Sequence, residues 1–279
     1  MFELVLGLLA GGFYGVADFC GGMATKRTSI FAVTVGSQAA GFVLLAAIAW
    51  LLPFHATIAD YGWGLAAGAC GAIGIALLYH ALSIGKMGVV SPITAVLGAA
   101  FPAVVGIAVR HERISPLQLA GIVVALLAVV LISLSHDENG RIEVSTAGVK
   151  EAILSGLGIG GFFVFLTLAH PAAGLQPLLA ARLCSVVLLV VVVLIGRRSI
   201  VPGNGTLGLI VFAGAIDATA NVLYVLATHV GTLAIAAVLT SLYPASTVFL
   251  ARIVLKERLA PIQNVGLAIA LAGVALIAA

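Results

Sequence analysis

Arg182 and Asp217 are opposite charges in two successive apolar stretches of the chain. At 1.5 Å per helical residue they lie about 12 and 15 Å from the same end of their stretches, so an ion pair is possible. Asn221 and Tyr224 continue the helix face of Asp217. Two interpretations stay open: a structural pair that joins two helices, or a site for a proton or for a solute, whose carboxylate would fit the planar fork of Arg182.

A second acid, Asp18, lies within the first apolar stretch, where a charged group is costly and needs an explanation. Gln38 and His80 are expected at a comparable or shallower depth from the same side. Because histidine titrates near neutral pH, the three residues could form a proton-handling cluster. A position near a helix end is the simpler explanation for His80, but it does not account for Asp18.

Three tyrosines in apolar stretches, Tyr14, Tyr79 and Tyr224, could line a binding cavity with their aromatic faces. Tyrosine also collects at membrane interfaces without any function, so this alternative stays open. The residues predicted to bind a substrate are these three tyrosines and Gln38, Arg182 and Asn221. Asp18, His80 and Asp217 form the set predicted to handle a coupling proton.

Two prolines, Pro102 and Pro244, lie inside apolar stretches. A proline in a helix removes one backbone hydrogen bond and leaves carbonyls without a donor. Both residues therefore predict helix kinks. Such kinks could flank a cavity that opens and closes, or they could serve packing alone.

Only helices that cross a membrane can position these residues. Of 279 residues, 62% are hydrophobic and 8% are charged, whereas a soluble domain usually carries about 25% charged residues. A helical span needs about 20 apolar residues. The sequence therefore predicts an all-α membrane protein with ten transmembrane helices, at 4–24, 30–52, 63–84, 88–109, 116–134, 148–168, 174–195, 206–227, 231–254 and 261–278.

One stretch of the chain occurs twice. Residues 112–132 align with residues 257–277 at a constant offset of 257 − 112 = 145, and ten of the twenty-one positions are identical. The protein is therefore predicted to contain two copies of one unit. Glu112 and Glu257 begin the two copies, and we expect them to pair locally with Arg113 and Arg258 or to cap the turn.

The predicted units are residues 1–135 and 148–279, joined by a polar linker at 136–147. Each unit has five predicted helices, and an odd number of spans turns the second unit upside down. Two inverted five-helix repeats around a central cavity are a common plan of secondary transporters. Glycines four residues apart predict close helix contacts within this plan, at Gly7, Gly11 and Gly15, at Gly64 and Gly68, and at Gly156 and Gly160.

Lysine and arginine are distributed unequally between the two predicted faces of the membrane. We name face A the side of the membrane that carries the loops between spans one and two, three and four, five and six, seven and eight, and nine and ten. Face B is the other side. Ten of these residues lie on or near face A, and two, Arg110 and Arg113, lie on face B. The positive-inside rule predicts that face A is cytoplasmic and that both termini are outside.

Several other classes of protein are disfavoured by the sequence. No basic patch for a nucleic acid is present. The three cysteines have unrelated spacings and indicate neither a disulfide framework nor a metal site. No glycine-rich phosphate loop with Lys and Ser or Thr occurs, so the sequence gives no reason to expect ATP hydrolysis or any cofactor. The expected partners are the lipid bilayer and a small-molecule substrate, and a monomer is compatible with this plan.

The duplicated stretch also resembles a known family. RHERISPLQLAGIVVALLAVVLIS and LKERLAPIQNVGLAIALAGVALIA are similar to the ends of two EamA domains, which belong to the drug/metabolite transporter superfamily. The resemblance implies a ten-helix carrier with a central cavity in the cell (inner) membrane. Members of the superfamily export amino acids and other metabolites, import sugars or exchange nucleotide conjugates.

These observations favour a secondary active transporter over an enzyme. The expected function is proton-coupled export of a small metabolite, such as an amino acid or a related compound, by alternating access between the two repeats. A sugar or nucleotide-conjugate carrier of the same fold is an alternative within this class. An intramembrane enzyme with Asp18 and Asp217 as an acid pair, or a channel, is an alternative of a different class.

Overall fold

The structure is a computed structural model that describes residues 2–51, 53–85, 87–133, 147–254 and 261–278. All regular structure in these ranges is helical. The helices are α1 (Phe2–Thr25), α2 (Ile30–Ile48), α3 (Ile58–Ile84), α4 (Met87–Ala108), α5 (Pro116–Ser133), α6 (Val149–Leu166), α7 (Gln176–Ile195), α8 (Leu207–Val230), α9 (Leu233–Thr240), α10 (Tyr243–Val254) and α11 (Pro261–Ala278). The predicted linker, except for Ala147, and both Glu257 and Arg258 lie outside the described residues.

Six described helices, α1, α2, α3, α6, α7 and α8, are long and apolar enough to cross a membrane. On α7, the exposed side chains include Leu183, Val187, Val191 and Leu194, which recur every three or four residues. A continuous exposed apolar stripe of this kind suits a lipid environment, because water would disfavour it. The fold is therefore an all-helical membrane fold.

The ninth predicted span is not one continuous helix. α9 ends at Thr240 and α10 begins at Tyr243, with a tight turn in which Leu242 N donates to Leu239 O at 3.3 Å. Pro244 thus lies in the first turn of α10, where its missing N–H costs no helix hydrogen bond. The helix is interrupted before Pro244 instead of being kinked at it, whereas α4 continues through Pro102.

The predicted glycine pairs lie where helices approach one another closely. A Cβ atom on Gly11 would lie 2.9 Å from the carbonyl oxygen of Thr240 in α9, and a Cβ atom on Gly156 would lie 2.9 Å from the carbonyl oxygen of Thr94 in α4. Because glycine has no side chain, two helices can come into direct backbone contact at these positions. α1 therefore packs on α9 and α10, and α6 packs on α4 in a similar way.

Contacts between loops follow the two faces that the sequence predicts. On face A, Ser29 Oγ before α2 donates to Ser199 O between α7 and α8 at 3.0 Å. On face B, His170 N between α6 and α7 donates to the Asp60 carboxylate at the start of α3 at 2.7 Å. Both bonds join the first half of the chain to the second half, and each joins loops that belong to one predicted face.

Candidate functional site

A cavity of about 80 Å³, part of which is open to the exterior, lies among the central helices. Its walls come from both halves of the chain, and most of its surface is apolar. The polar or aromatic residues that line it are Tyr14, Asp18, Gln38, Thr94, Phe162, Phe163, Arg182, Ser185, Asp217, Asn221, Thr240, Ser241 and Tyr243.

Arg182 is the centre of a buried polar network. Its Nη2 forms an ion pair with Asp217 Oδ2, which confirms the pair predicted from the sequence. Its Nη1 donates to Gln38 Oε1 at 2.7 Å. Gly41 of α2 lies beside the guanidinium, since a Cβ atom there would be in ordinary contact with Cζ of Arg182, at 3.6 Å. One cation thus joins α7 to both α2 and α8.

Asn221 supports Asp217 from the next turn of α8. Its Nδ2 donates to the backbone oxygen of Asp217 at 2.7 Å and lies 3.4 Å from Asp217 Oδ2. The amide therefore binds its own helix and orients the acid that pairs with Arg182. Asn221 also lines the cavity, so it remains within reach of a solute.

Asp18 lines the cavity and has no such support. Its side chain is 7% exposed, and among the described residues it has no hydrogen bond or ion pair. Gln38, predicted to act with Asp18, instead accepts a hydrogen bond from Arg182. A buried carboxylate without a partner is unstable in its charged form, so Asp18 needs either a proton or a cation.

Aromatic rings form one wall of the cavity. The ring of Phe163 lies 6.1 Å from that of Tyr14 and 5.5 Å from that of Phe162, both in edge-to-face geometry. The two phenylalanines belong to α6 and were not predicted as site residues. One signal in the sequence could have identified Phe163, which is the repeat counterpart of Asp18, since 163 − 18 = 145.

The interruption between α9 and α10 also lies at the cavity. Ala237 and Thr240 from the end of α9, and Ser241 from the turn, belong to its lining. Ser241 Oγ donates to Val238 O at 2.7 Å, whereas the buried Thr240 Oγ1 has no partner among the described residues. The carbonyl oxygen of Thr240 lies against Gly11 of α1, and α10 begins beside the cavity at Tyr243.

Five predicted residues do not line the cavity. Tyr79 is buried against α1 at Gly21. Tyr224 is fully buried, with its ring 4.2 Å from that of Phe163, so it supports the aromatic wall from behind. The side chain of His80 is exposed, and the structure does not bring it to Asp18. Pro102 packs near Gly160, and Pro244 starts α10.

Glu112 has a role that the sequence did not predict. Its carboxylate accepts hydrogen bonds from Leu233 N at 3.0 Å and Ala234 N at 3.1 Å, at the N-terminus of α9. Arg110 lies 3.9 Å from it, whereas Arg113 is exposed. The expected pairing with Arg113 is therefore not found: Glu112 caps a helix of the other half of the chain on face B.

Within the described ranges no group of three or more His, Cys, Asp or Glu residues could hold a metal ion. Cys20, Cys70 and Cys184 are free thiols. The cavity therefore offers one ion pair, an unpaired acid, hydroxyls and aromatic rings. This arrangement suits binding of a small amphipathic molecule more than it suits a nucleophilic or metal-dependent reaction.

Three comparisons with known proteins agree with this architecture. A solved structure titled "Crystal structure of protein" has the same fold, with a TM-score of 0.76 and 15% identity over 98% of this chain and 95% of that chain. The uncharacterized protein MJ1333.1 of Methanocaldococcus jannaschii is 28% identical over 136 residues, which cover 48% of this chain and 97% of that protein. The sequence pattern of the EamA-like transporter family matches residues 1–134 and again residues 146–279. The chain therefore belongs to the EamA-like transporter family, a family of multi-pass membrane transporters in the drug/metabolite transporter superfamily.

Proposed function

We propose that this chain is a secondary active transporter of the cell membrane that exports a small metabolite in exchange for protons. The observation that carries the proposal is the cavity itself, which combines an apolar lining with a buried, unpaired Asp18. A carrier requires a site that both halves of the chain form together, and this cavity has walls from both halves.

Alternating access is proposed between two inverted five-helix repeats. Equivalent helix contacts support the duplication: Gly15 meets Ser246, and Gly160 meets Phe101, which are the same pair shifted by 145 residues in each partner. Likewise α1 packs on α8 as α6 packs on α3, while α5 and α11 pack on each other. Each half therefore contributes its first helix to the other half, so the cavity lies at the interface that such a cycle rearranges.

Proton coupling is proposed to occur at Asp18. A carboxylate in this position is stable when it is protonated or when a cation occupies the cavity beside it. Asp217 is proposed to have a structural role instead, because Arg182 already compensates its charge. The cycle thus needs one titrating group within the cavity, and Asp18 is the described lining residue that meets this need.

The proposal can be tested in liposomes that contain the purified protein and a trapped pH-sensitive dye. Amino acids, amines, sugars and nucleosides are added outside, and proton movement is recorded for each solute. We expect saturable, solute-dependent proton flux in the wild type. We expect Asp18→Asn to abolish uphill transport while exchange of solute for solute remains.

Glu151→Gln is the matched control, because it makes the same chemical change on α6 outside the cavity lining. It should leave the flux unchanged. Unsaturable flux in the wild type would indicate a channel instead of a carrier. Uphill transport that survives in the Asp18→Asn protein would remove Asp18 from the coupling mechanism.

A further inference from the structure

We infer that the substrate is an organic cation, whose ammonium group binds at Asp18 and whose apolar body lies against Phe162 and Phe163. The inference rests on the proposed carrier function and adds to it the charge of the substrate. It also disfavours the alternative, left open by the sequence, in which Arg182 binds a substrate carboxylate.

The first argument is the charge of the cavity. The ionisable lining residues are Asp18, Arg182 and Asp217, and the last two neutralise each other. With Asp18 ionised, the described part of the cavity carries one net negative charge. A monovalent cation restores neutrality, whereas an anion would bring a second negative charge next to the first in a medium of low dielectric constant.

The second argument is that Arg182 is already occupied. Its Nη1 and Nη2 are committed to Gln38 and Asp217, and the whole residue is 4% exposed. Its Nε is buried and has no partner among the described residues. A substrate carboxylate that took both Nη atoms would have to displace Gln38 and Asp217, and displacement of Asp217 would leave that acid buried and unpaired. The guanidinium therefore acts as an internal counter-ion.

The third argument is that the neutral parts of the wall also favour a positive charge. The rings of Tyr14, Phe162 and Phe163 lie on the cavity, and the face of an aromatic ring attracts an ammonium group. This feature is independent of Asp18 and favours the same sign of charge.

The remaining lining defines the rest of the ligand. Ile75, Leu78, Ala95 and Ile159 add apolar surface to the aromatic wall. A ligand that contacts this lining needs an apolar body in addition to its charged group. Small inorganic cations do not meet this requirement, and neither do sugars, which are polar on every side.

The test compares probes that share one body and differ in charge. Phenethylammonium, 2-phenylethanol and 3-phenylpropionate are added to the purified wild type in detergent, and binding is measured by calorimetry and by thermal shift. Benzyltrimethylammonium with 4-phenylbutyrate forms a second pair. We expect the ammonium member of each set to bind at least about tenfold more tightly than the others.

Two further measurements locate the site. The affinity of the wild type for the ammonium probes should fall as the pH falls, because protons compete for Asp18, and each bound cation should displace about one proton. Asp18→Asn should abolish the preference for ammonium, and Glu151→Gln should keep it. The pH dependence in the wild type is decisive even if the Asp18→Asn protein does not fold.

The inference is overturned if no ammonium probe binds, if the carboxylates bind as tightly as the ammonium probes, or if Asp18→Asn keeps the preference for charge. The liposome assay separates this outcome from failure of the carrier proposal. Proton flux driven by carboxylates and not by ammonium probes would support the carrier proposal and refute the inference of a cationic substrate. Cation binding without any proton-coupled flux would support the cationic ligand and refute the carrier proposal.

Discussion

At the scale of the residue, Arg182 explains why the charges inside this membrane protein are tolerated. Its guanidinium binds Gln38 of α2 and Asp217 of α8 from a position on α7, so three helices share one cation. A single buried charge at Arg182 or at Asp217 would be costly, but in the ion pair each charge compensates the other. The first role of Arg182 is therefore to join the three helices and to neutralise the charge of Asp217.

We predict that Arg182→Ala and Asp217→Ala each lower the thermal stability of the purified protein in detergent, by about 3 kcal/mol or more. Each change leaves an opposite charge buried without its partner, at side chains that are 5% and 15% exposed. The double variant should recover part of this loss, because neither charge then remains alone. Additive losses in the double variant would show that the two side chains do not interact.

Sequence reasoning at this scale found the ion pair, but it also predicted a cluster of Asp18, Gln38 and His80 that the structure does not form. Depth along a helix follows from counting residues, and the similar depths of Arg182 and Asp217 made their ion pair possible. The rotation of a helix about its axis is set by packing with its neighbours, and counting does not reveal it. Gln38 therefore lies toward Arg182, and the side chain of His80 is exposed, although their depths match that of Asp18.

At the scale of the element, close backbone contact sets the positions of α1 and α6. Gly11 and Gly156 lie against carbonyl oxygens of neighbouring helices, and no larger residue fits there without movement. The spacing of the glycines predicted these contacts, but it did not predict the interruption between α9 and α10. A proline is tolerated within a membrane helix, so Pro244 alone could not indicate that the helix ends at Thr240.

We predict that Gly11→Val and Gly156→Val each destabilise the protein by roughly 1–3 kcal/mol through overpacking. Gly62→Val is the control, because a Cβ atom on Gly62 meets nothing within 4 Å. The control should change stability by less than about 1 kcal/mol, which is the scale of helix propensity at an exposed position. Thermal unfolding in one detergent measures all three, and equal effects at the three sites would contradict the packing shown here.

Glu112 allows a separate prediction for α9. Replacing Glu112 with Ala removes the carboxylate that caps Leu233 N and Ala234 N, and should lower stability by about 1–2 kcal/mol. Arg113→Ala, in the exposed neighbour that the sequence suggested as its partner, should change stability by less than about 0.5 kcal/mol. A larger effect at Arg113 would indicate instead that Glu112 pairs with Arg113.

At the scale of the whole molecule, the loops are divided between two faces. The bond from Ser29 to Ser199 and the bond from His170 to Asp60 each stay within one predicted face, as the alternation of spans requires. The sequence could predict this division, since it follows from the number of spans alone. Which face is cytoplasmic depends on the surplus of Lys and Arg on face A.

We predict that residue 140 is cytoplasmic and that residue 55 is outside the cell. His55→Cys and Gly140→Cys are introduced separately after the three native cysteines have been replaced. In intact cells an impermeant thiol reagent should label the first variant and not the second, and both should be labelled after lysis. Labelling of only the Gly140→Cys variant in intact cells would show that the orientation is opposite to the predicted one.

The acid at residue 18 faces the cavity from one copy of the repeat, and in the other copy the counterpart is Phe163, which faces the same cavity. A protein of half this length, such as MJ1333.1 at about 136/0.97 ≈ 140 residues, would have to present identical residues from both sides if it paired with itself. Fusion of two copies lets the walls diverge, so that one copy presents the carboxylate of Asp18 where the other presents the ring of Phe163. Exchange of one proton for one monovalent cation is electroneutral. Membrane voltage would then do no work on the cycle, and the pH difference alone would limit how far the substrate can be concentrated.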